Sequence, residues 1–262
     1  IRMYQHLIFD KKDQVATITL HRPDVFHALS TALIQEITQA VQDAAQDNTI
    51  RVVILTGSGD RAFCSGADLK AGLESSPRPL GDTLRENYNP MIQAIRSTPK
   101  PIICKLNGVA AGAGLSLALA CDMIIAREDT YISELFIGIG LMPDAGSMYF
   151  LPRLVGMQRT FELCSTGRKV AIQEAVQLGL VTEMHPWEEL DKRMEELIAY
   201  YAQAPTFAIG QMKKVLNASL NSTLEEVLEA EAVGQTACGV TNDFGEGVMA
   251  FLQKRKPVFK GK

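Results

Sequence analysis

Residues 101–106 read Pro-Ile-Ile-Cys-Lys-Leu, and residues 107–115 continue as Asn-Gly-Val-Ala-Ala-Gly-Ala-Gly-Leu. The first run is short and apolar, which is typical of a strand buried on both faces. The glycines and alanines that follow allow close backbone approach, and the apolar residues through Ala120 predict a helix that begins within this turn. The stretch therefore predicts a buried strand, a glycine-rich turn and a helix in direct succession.

Similar patterns lie on both sides of this stretch. Strands are predicted at 15–20, 51–56 and 123–126, and a helix at 30–46, with Ser30 as its cap and one apolar face formed by Leu33, Ile34, Ile37, Val41 and Ala44. Short buried strands that alternate with helices predict an α/β fold. The segment 72–81, with two prolines, is predicted to be a surface loop.

The end of the chain has a different character. Beyond Pro205 the pattern is helical, and Thr223 and Glu226 have the spacing of a capping box. We therefore predict a core over residues 1–200 and a C-terminal helical region over residues 201–262.

The composition excludes several classes of protein. The chain has 262 residues, of which 47% are hydrophobic, and a net charge of −4, which offers no general basic surface for nucleic acid. No apolar run reaches the roughly 18 residues that span a bilayer, so no membrane partner is expected. The five widely spaced cysteines (Cys64, Cys104, Cys121, Cys164 and Cys238) favour reduced thiols and a cytoplasmic or similar compartment.

The segment Gly140-Leu-Met-Pro-Asp-Ala-Gly-Ser147 places Asp144 among apolar and turn-forming residues. An apolar environment raises the pKa of a carboxyl group towards the range of a general base. Aspartate is also a preferred N-cap, here for a helix that begins near Ala145. This segment alone does not separate the two interpretations.

Two glycine-containing turns follow predicted strands. The first, Ala62-Phe-Cys-Ser-Gly-Ala-Asp-Leu69, leaves the amide of Ala67 free and leads into a helix near Asp68. The second is the turn at 107–115, which opens a helix. Two such amides aimed at one point would form an oxyanion hole. Close packing of a helix on a sheet explains the glycines of the second turn equally well, and neither a full dinucleotide-binding fingerprint nor a Walker motif is present.

Taken together, these segments resemble the enoyl-CoA hydratase/isomerase (crotonase) superfamily. The resemblance extends from His21 to Phe259 and rests on Phe63–Leu69, Lys100–Gly114, Cys121-Asp122 and Leu151-Pro-Arg-Leu-Val-Gly156. It implies a spiral of ββα units with a C-terminal helical region that builds a homotrimer or a dimer of trimers. It also implies an acyl-CoA thioester substrate, with coenzyme A as part of the substrate and no separate cofactor. The Pro143-Asp144 pair is similar to that of the ring-1,2-epoxyphenylacetyl-CoA isomerases of bacterial phenylacetate breakdown.

The resemblance also implies roles for individual residues. The amides of Ala67 and Ala113 would hold the thioester carbonyl, although many members have glycine at the second position. Coenzyme A would contact Phe26, Ala28 and Ala62, and its phosphates would meet the basic tail, contributed by a neighbouring subunit, at Lys256 and Lys260. A solvated charged chain end explains these two lysines equally well.

The resemblance favours isomerisation over hydration. Ser116 and Phe136 stand where hydratases of the superfamily carry two glutamates, and neither side chain can activate water. Asp144 stands where isomerases carry a single carboxylate, which removes a proton from one carbon and returns it to another. An apolar acyl pocket is expected from Phe136, Leu141, Met142, Tyr149 and Tyr88, although an ordinary core would have the same composition.

Three alternatives remain beside the isomerase. Glu134 would share a face with Phe136 in an extended segment, so a hydratase that uses Glu134 stays open. A noncatalytic acyl-CoA-binding subunit is the second, although such a protein has no need of Asp144. Chlorobenzoyl-CoA dehalogenases also carry this aspartate, but they pair it with a tryptophan and a histidine that this chain lacks at the matching places. The histidines (His6, His21, His27 and His185) lie outside the two turns, so no metal site is expected.

Overall fold

The computed structural model describes residues 4–74 and 78–262, which form two β-sheets. The strands are β1 Leu7–Lys12, β2 Val15–Leu20, β3 Val52–Gly57, β4 Ala62–Cys64, β5 Ile102–Leu106, β6 Val109–Ala111, β7 Met123–Arg127, β8 Tyr131–Ser133, β9 Val170–Ala171 and β10 Glu183–His185. The larger sheet has the order β1-β2-β3-β5-β7-β10 and is parallel except between β1 and β2. The smaller sheet has the order β4-β6-β8-β9, and only β8 and β9 are antiparallel.

The helices connect and cover these sheets. They are α1 Thr31–Gln46, α2 Leu69–Glu74, α3 Leu80–Thr83, α4 Asn89–Ser97, α5 Ala113–Leu119, α6 Ser147–Thr166, α7 Ile172–Gln177, α8 Trp187–Gln203, α9 Thr206–Ser219, α10 Leu224–Gly239 and α11 Asn242–Leu252. Short 3₁₀ turns lie at Pro23–Val25 and Leu135–Ile139, and a π turn lies at Leu84–Tyr88. Within the described ranges, no helix combines the length and the apolar character needed to cross a membrane.

The sequence predictions of regular structure are largely confirmed. The predicted strands correspond to β2, β3, β5 and β7, and the predicted helix at 30–46 is α1, in which Ser30 Oγ accepts a hydrogen bond from the N–H of Leu33 at 3.3 Å. The capping box of Thr223 and Glu226 is present in α10. The predicted loop at 72–81 is wrong at both ends, because α2 continues to Glu74 and α3 begins at Leu80. Residues 75–77 lie outside the described residues.

Burial on both faces explains why the central strands are apolar throughout. All six residues of β3 are buried. Alternate side chains point to opposite faces, so one set packs with α8 and includes Val52, Ile54, Ile103 and Ile125. The other set packs beneath α1 and α4 and includes Val53, Leu55, Ile102 and Cys104. The larger sheet is therefore the middle layer of the core.

A unit of two strands followed by a helical or turn segment recurs along the chain. Each of β3, β5 and β7 is followed after a short link by β4, β6 and β8, which are parallel to one another in the smaller sheet. The carboxyl ends of β4, β6 and β8 therefore meet at one edge, where the chain enters the turn at 65–68, α5 and the 3₁₀ turn at Leu135–Ile139. Ligands in α/β proteins commonly bind at such an edge.

The end of the chain is helical, as predicted. Helices α9, α10 and α11 follow Pro205, and α8 runs through residue 200 to Gln203. The chain therefore has an α/β fold with a C-terminal helical region, while the boundary at residue 200 stays a prediction.

Candidate active site

The turn after β4 presents the amide of Ala67. Gly66 has φ +100°, and a Cβ on it would lie 2.8 Å from the carbonyl oxygen of Ala111 and 3.6 Å from the nitrogen of Ala113. The N–H of Leu29 donates to the carbonyl of Gly66 at 2.8 Å, and the N–H of Asp68 donates to the carbonyl of Leu29 at 3.1 Å. These bonds flank Ala67 and turn its own N–H away from residue 29. Only glycine satisfies both the left-handed backbone and the close contact with residue 111.

The turn after β6 brings a second amide to the same place. Helix α5 begins at Ala113, directly after Gly112 with φ +52°. A Cβ on Gly114 would lie 2.3 Å from the carbonyl oxygen of Cys64, so this glycine does allow close packing of α5 on β4. Within the described part of the chain, neither the Ala67 N–H nor the Ala113 N–H donates to an acceptor. Two free and neighbouring amides are the arrangement that an oxyanion hole requires.

Side chains from the segment before α1 hold the first turn in place. Arg22 pairs with Asp68 at 2.8 Å and donates to the carbonyl of Ala28. His27 is buried, accepts the N–H of Arg22 at Nδ1 and donates from Nε2 to the carbonyl of Ser58. Burial lowers the pKa of His27, so its ring is neutral. These supporting roles are not predicted from the sequence, where only the polar residues of the turn His21-Arg-Pro-Asp24 could have indicated them.

Asp144 does not cap the following helix. Helix α6 begins at Ser147, its N-cap is Gly146, and among the described residues no side chain accepts a capping hydrogen bond from its first turn. The Oδ1 atom of Asp144 is buried and has no hydrogen-bond partner among the described residues. Burial raises the pKa of Asp144 to about 6. The capping interpretation is therefore wrong, and the carboxylate has the pKa of a general base that works near neutral pH.

Glu134 is a second buried carboxyl group beside Asp144. It follows β8 and is 2% exposed, so it is not an ordinary polar position. Burial raises its pKa to about 7, the hydrogen bond with Ser147 opposes that rise, and the charge of Asp144 adds to it. The predicted extended segment is also wrong, since Phe136 lies in the 3₁₀ turn at Leu135–Ile139. Glu134 is a candidate residue from the sequence, but its burial depends on contacts that the sequence does not show.

Ser116 links these two acidic residues. Its side chain is fully buried, and its Oγ lies 2.8 Å from the Oγ of Ser147 and 3.0 Å from the carbonyl oxygen of Asp144. Ser147 Oγ in turn lies 2.7 Å from Oε1 of Glu134. The position where a hydratase would carry a glutamate is thus occupied by a hydroxyl group that bonds to protein atoms.

The predicted acyl-pocket residues divide into two groups. Phe136 and Tyr88 are buried, and burial together with the charge of Asp144 raises the pKa of Tyr88. Leu141 packs against the core, while Met142 is 69% exposed. Tyr149 borders a cavity of about 410 Å³ beside residues 145 and 146, and this cavity is also lined by Ile92, Arg96 and Phe150.

The predicted coenzyme A residues lie in two distant places. Ala28 and Ala62 are buried near the first turn, and Phe26 is partly exposed beneath the guanidinium group of Arg61, whose carbon lies 4.4 Å from the ring centre. The tail lies elsewhere in this chain. The N–H of Lys260 donates to Asp243 at 2.6 Å, and Phe259 accepts from Arg51, which directly precedes β3.

Residue 51 lies at the amino end of β3, whereas the two free amides lie beyond its carboxyl end. Lys260 therefore lies away from the two free amides of its own chain, and Lys256 precedes it in the same tail. Arg61, an exposed cation beside Phe26, is not among the residues predicted from the sequence.

Catalysis by a thiol or by a metal ion has little support at this site. Cys64 is fully buried, and burial raises the pKa of its thiol to about 12, which leaves no thiolate near neutral pH. Within the ranges that the structure describes, no cluster of three His, Cys, Asp or Glu side chains could hold a metal ion.

Comparison with known proteins identifies relatives along the whole chain. Residues 10–262 match the family model described as enoyl-CoA hydratase/isomerase. A Rhodobacter capsulatus protein with the name "Probable enoyl-CoA hydratase" is 41% identical, with 99% of each chain covered. The 1,2-epoxyphenylacetyl-CoA isomerase of Escherichia coli is 35% identical over 99% of this chain and 100% of its own. The crystal structure of an enoyl-CoA hydratase from Bacillus anthracis superimposes with a TM-score of 0.93 at 32% identity, covering 98% of this chain and 100% of that chain.

Proposed function

The chain belongs to the enoyl-CoA hydratase/isomerase family, the crotonase superfamily, and we propose that within it the protein is an acyl-CoA isomerase. The observation that carries the proposal is the half-buried Asp144 carboxyl group, whose Oδ1 is buried without a partner among the described residues and whose pKa is about 6. A carboxylate in that state is available to a substrate proton rather than to a neighbouring protein group. The reaction is the shift of a double bond, or the rearrangement of an unsaturated ring, in a CoA thioester.

The proposed chemistry needs one base and one site for negative charge. The Asp144 carboxylate removes a proton from the carbon α or γ to the thioester, and the resulting enolate carries its charge on the thioester oxygen. The N–H groups of Ala67 and Ala113 donate to that oxygen. Asp144 then returns the same proton to the other carbon, so the product is an isomer of the substrate and no water is consumed.

Hydration with Glu134 is the second candidate. Its support is that Glu134 is buried, has a pKa of about 7 and has an unpartnered Oε2. Two observations weigh against it. Oε1 is engaged by Ser147, and the place of a hydratase's other glutamate is taken by Ser116, whose hydroxyl cannot act as a base for water. The relatives carry both hydratase and isomerase names, so they do not decide between the two reactions.

A noncatalytic binding subunit is the third candidate. A binder of acyl-CoA needs the two amides and the pocket, but it gains nothing from a buried carboxylate. An unpaired buried charge is costly, and a protein without catalytic use for Asp144 would be more stable without it. The unpartnered Oδ1 of Asp144 therefore favours an enzyme.

The acyl group and the assembly are also proposals. The aromatic rings of Tyr149 and Phe150 at the cavity beside Asp144 suit a ring-bearing or polyunsaturated acyl group, in keeping with the substrate in the name of the E. coli relative. Large apolar side chains are exposed on the C-terminal helices α10 and α11, including Leu228, Val233, Phe244 and Phe251. Exposed apolar surface of this kind favours burial against other copies of the chain, as in a trimer or a dimer of trimers.

The test measures the rates at which the wild-type protein, D144N and D191N isomerise 3-enoyl-CoA and hydrate crotonyl-CoA. We expect isomerisation of the 3-enoyl ester with little hydration, and a loss of on the order of 10²-fold or more in kcat for D144N. Asp191 is 69% exposed on α8, so D191N is a matched control that keeps wild-type rates. Efficient hydration of crotonyl-CoA that D144N leaves intact would overturn the proposal and direct attention to Glu134.

A further inference from the structure

A row of four oxygen atoms connects Glu134 to the main chain of Asp144. Oε1 of Glu134 lies 2.7 Å from Ser147 Oγ, and Ser147 Oγ lies 2.8 Å from Ser116 Oγ. Ser116 Oγ in turn lies 3.0 Å from the carbonyl oxygen of Asp144. All three distances are those of O–H···O hydrogen bonds, whereas the carbonyl oxygen of Gly112 lies farther from Ser116 Oγ, at 3.4 Å. The glutamate and both serines are buried, at 2% exposure or less, so the row is closed to solvent.

Counting hydrogens assigns a proton to Glu134. Three hydrogen bonds need three hydrogens, and a main-chain carbonyl supplies none. Ser147 and Ser116 supply one each. The third hydrogen can come only from the carboxyl group of Glu134. In this arrangement Glu134 donates to Ser147, Ser147 donates to Ser116, and Ser116 donates to the carbonyl of Asp144. An ionised Glu134 would leave one of the three contacts as two facing oxygens without a hydrogen.

From this count we propose that Glu134 is a neutral carboxylic acid whose proton orders the row and thereby positions the segment that carries Asp144. Glu134 is a positioning residue, because it acts through Ser147 and Ser116 and its carboxyl group is not the one that takes the substrate proton. The assignment of protons stands on geometry alone. Its effect on catalysis rests on the proposed function, in which Asp144 is the base.

The charges around Glu134 favour the same protonation state. The titratable groups that act on it or feel it are the Asp144 carboxylate and the thiol of Cys164 in α6, and neither is a cation. Its Oε2 is buried without a partner in the described residues, which would leave half of an ionised carboxylate uncompensated. Burial and the charge of Asp144 raise the pKa of Glu134 to about 7, against a hydrogen bond that Ser147 would donate to the ionised carboxylate.

The row predicts a narrow pH optimum. Below a pH of about 6, Asp144 is protonated and cannot accept the substrate proton. Above a pH of about 7, Glu134 loses its proton, Ser147 and Ser116 turn their hydrogens towards the new charge, and the carbonyl of Asp144 loses its donor. The second negative charge also opposes the enolate. We therefore expect kcat to fall on both sides of an optimum between the two values.

Infrared difference spectroscopy tests the proton directly, without any substrate. At a pH of about 6, ordinary exposed carboxyl groups are ionised, so the C=O stretch of a protonated carboxyl group marks a buried acid. We expect D144N to show such a band that the double variant D144N/E134Q lacks, while E134Q keeps only the band of Asp144. The band of Glu134 should titrate at lower pH in D144N than in wild type, because the charge of Asp144 is absent. Identical spectra for D144N and the double variant D144N/E134Q would overturn the proposal, whether or not the protein is an isomerase.

Kinetics tests the positioning role. The amide N–H of glutamine donates to Ser147 at every pH, so E134Q should keep kcat within about threefold of wild type at the optimum and lose the alkaline fall. S116A, which removes the donor to the carbonyl of Asp144, should lower kcat by about tenfold with little change in KM. An unchanged alkaline fall in E134Q would overturn the proposal. A loss of on the order of 10²-fold in E134Q would also overturn it, because Glu134 would then be a catalytic residue.

Discussion

Buried ionisable groups lie at both ends of the strand pairs, but the two ends differ in how completely these groups are hydrogen-bonded. Before β5 and β7, Lys213 Nζ donates to Asp122 at 2.7 Å and to two main-chain carbonyls, and Lys100 Nζ donates to two more. Beyond β8, Glu134 and Asp144 each keep one buried oxygen without a partner in the described chain. The amino end compensates its buried charges, whereas the carboxyl end leaves one oxygen of each acidic residue uncompensated.

This difference separates residues that stabilise the fold from residues that are available for chemistry. Removing one partner of a compensated buried charge destabilises the protein, and a charge compensated in this way has no capacity left for a ligand. An uncompensated one costs stability, and a substrate or a bound proton can recover that cost. Substitutions at the two ends should therefore have opposite signatures in rate and in stability.

The largest effect is expected at the first turn. In G66A the new Cβ would lie 2.8 Å from the carbonyl oxygen of Ala111 and would require a left-handed alanine, so the Ala67 amide must move. We expect kcat to fall by at least about 10²-fold, as for the loss of one oxyanion donor. Steady-state kinetics with 3-enoyl-CoA measures the loss.

A matched glycine controls for backbone strain. Gly59 also has a positive φ, +74°, but a Cβ there meets nothing within 4 Å in the described structure. G59A should destabilise the fold by about 1 kcal/mol and keep the wild-type kcat. A near-wild-type kcat in G66A would show that the Ala67 amide is not the oxyanion donor.

Substitutions at the amino ends of the strands should change the stability of the protein rather than its catalytic rate. Removing the Lys213 ammonium takes one donor from Asp122 and from the carbonyls of Ile95 and Lys100, although Asp122 keeps the N–H of Ile102 and the guanidinium of Arg96. We expect K213A to lower the free energy of unfolding by about 3 kcal/mol, measured by urea denaturation at fixed protein concentration. The kcat per folded molecule should not change.

The neighbouring lysine provides the control. Lys214 is exposed on the same helix, and K214A should change the free energy of unfolding by no more than about 0.5 kcal/mol. If K213A lowered kcat as strongly as it lowers stability, the two ends of the molecule would not be separable and the comparison would fail.

The local structure could be predicted because it depends on short-range patterns. The alternation of buried strands and helices, the Ser30 cap and the two glycine turns are all visible in adjacent residues, and all are present. The resemblance to the family added the order of the units. The convergence of Ala67 and Ala113 requires the parallel pairing of β4 and β6, which no local pattern encodes.

The protonation states of the site could not be predicted for a different reason. The pKa of Glu134 depends on burial, on Ser147 thirteen positions later and on the charge of Asp144. The sequence shows each of these residues but not the distances between them. For the same reason the sequence left open whether Asp144 caps α6, which depends on where that helix begins.

The smallest expected effect is a change in the free energy of unfolding of the D144N variant, and the sign of that change is specific to an uncompensated carboxylate. Asp144 has a folded-state pKa of about 6, raised from 3.8 by burial, so the folded protein binds this proton more tightly than the unfolded chain does. The resulting stability is fully present below a pH of about 4 and is lost as the pH rises through about 6. The neutral side chain of D144N carries no such penalty, so at a pH of about 8 the variant should be more stable than wild type.

The expected gain is about 1 kcal/mol after allowance for partial exposure to solvent, and the difference should shrink steadily towards a pH of about 4. Thermal and urea unfolding of both proteins across this range measures it. A D144N protein that is less stable than wild type at a pH of about 8 would mean that the carboxylate has a stabilising partner, as at the amino end. A gain in stability together with a loss of rate is the combination expected only of a carboxylate kept for the reaction.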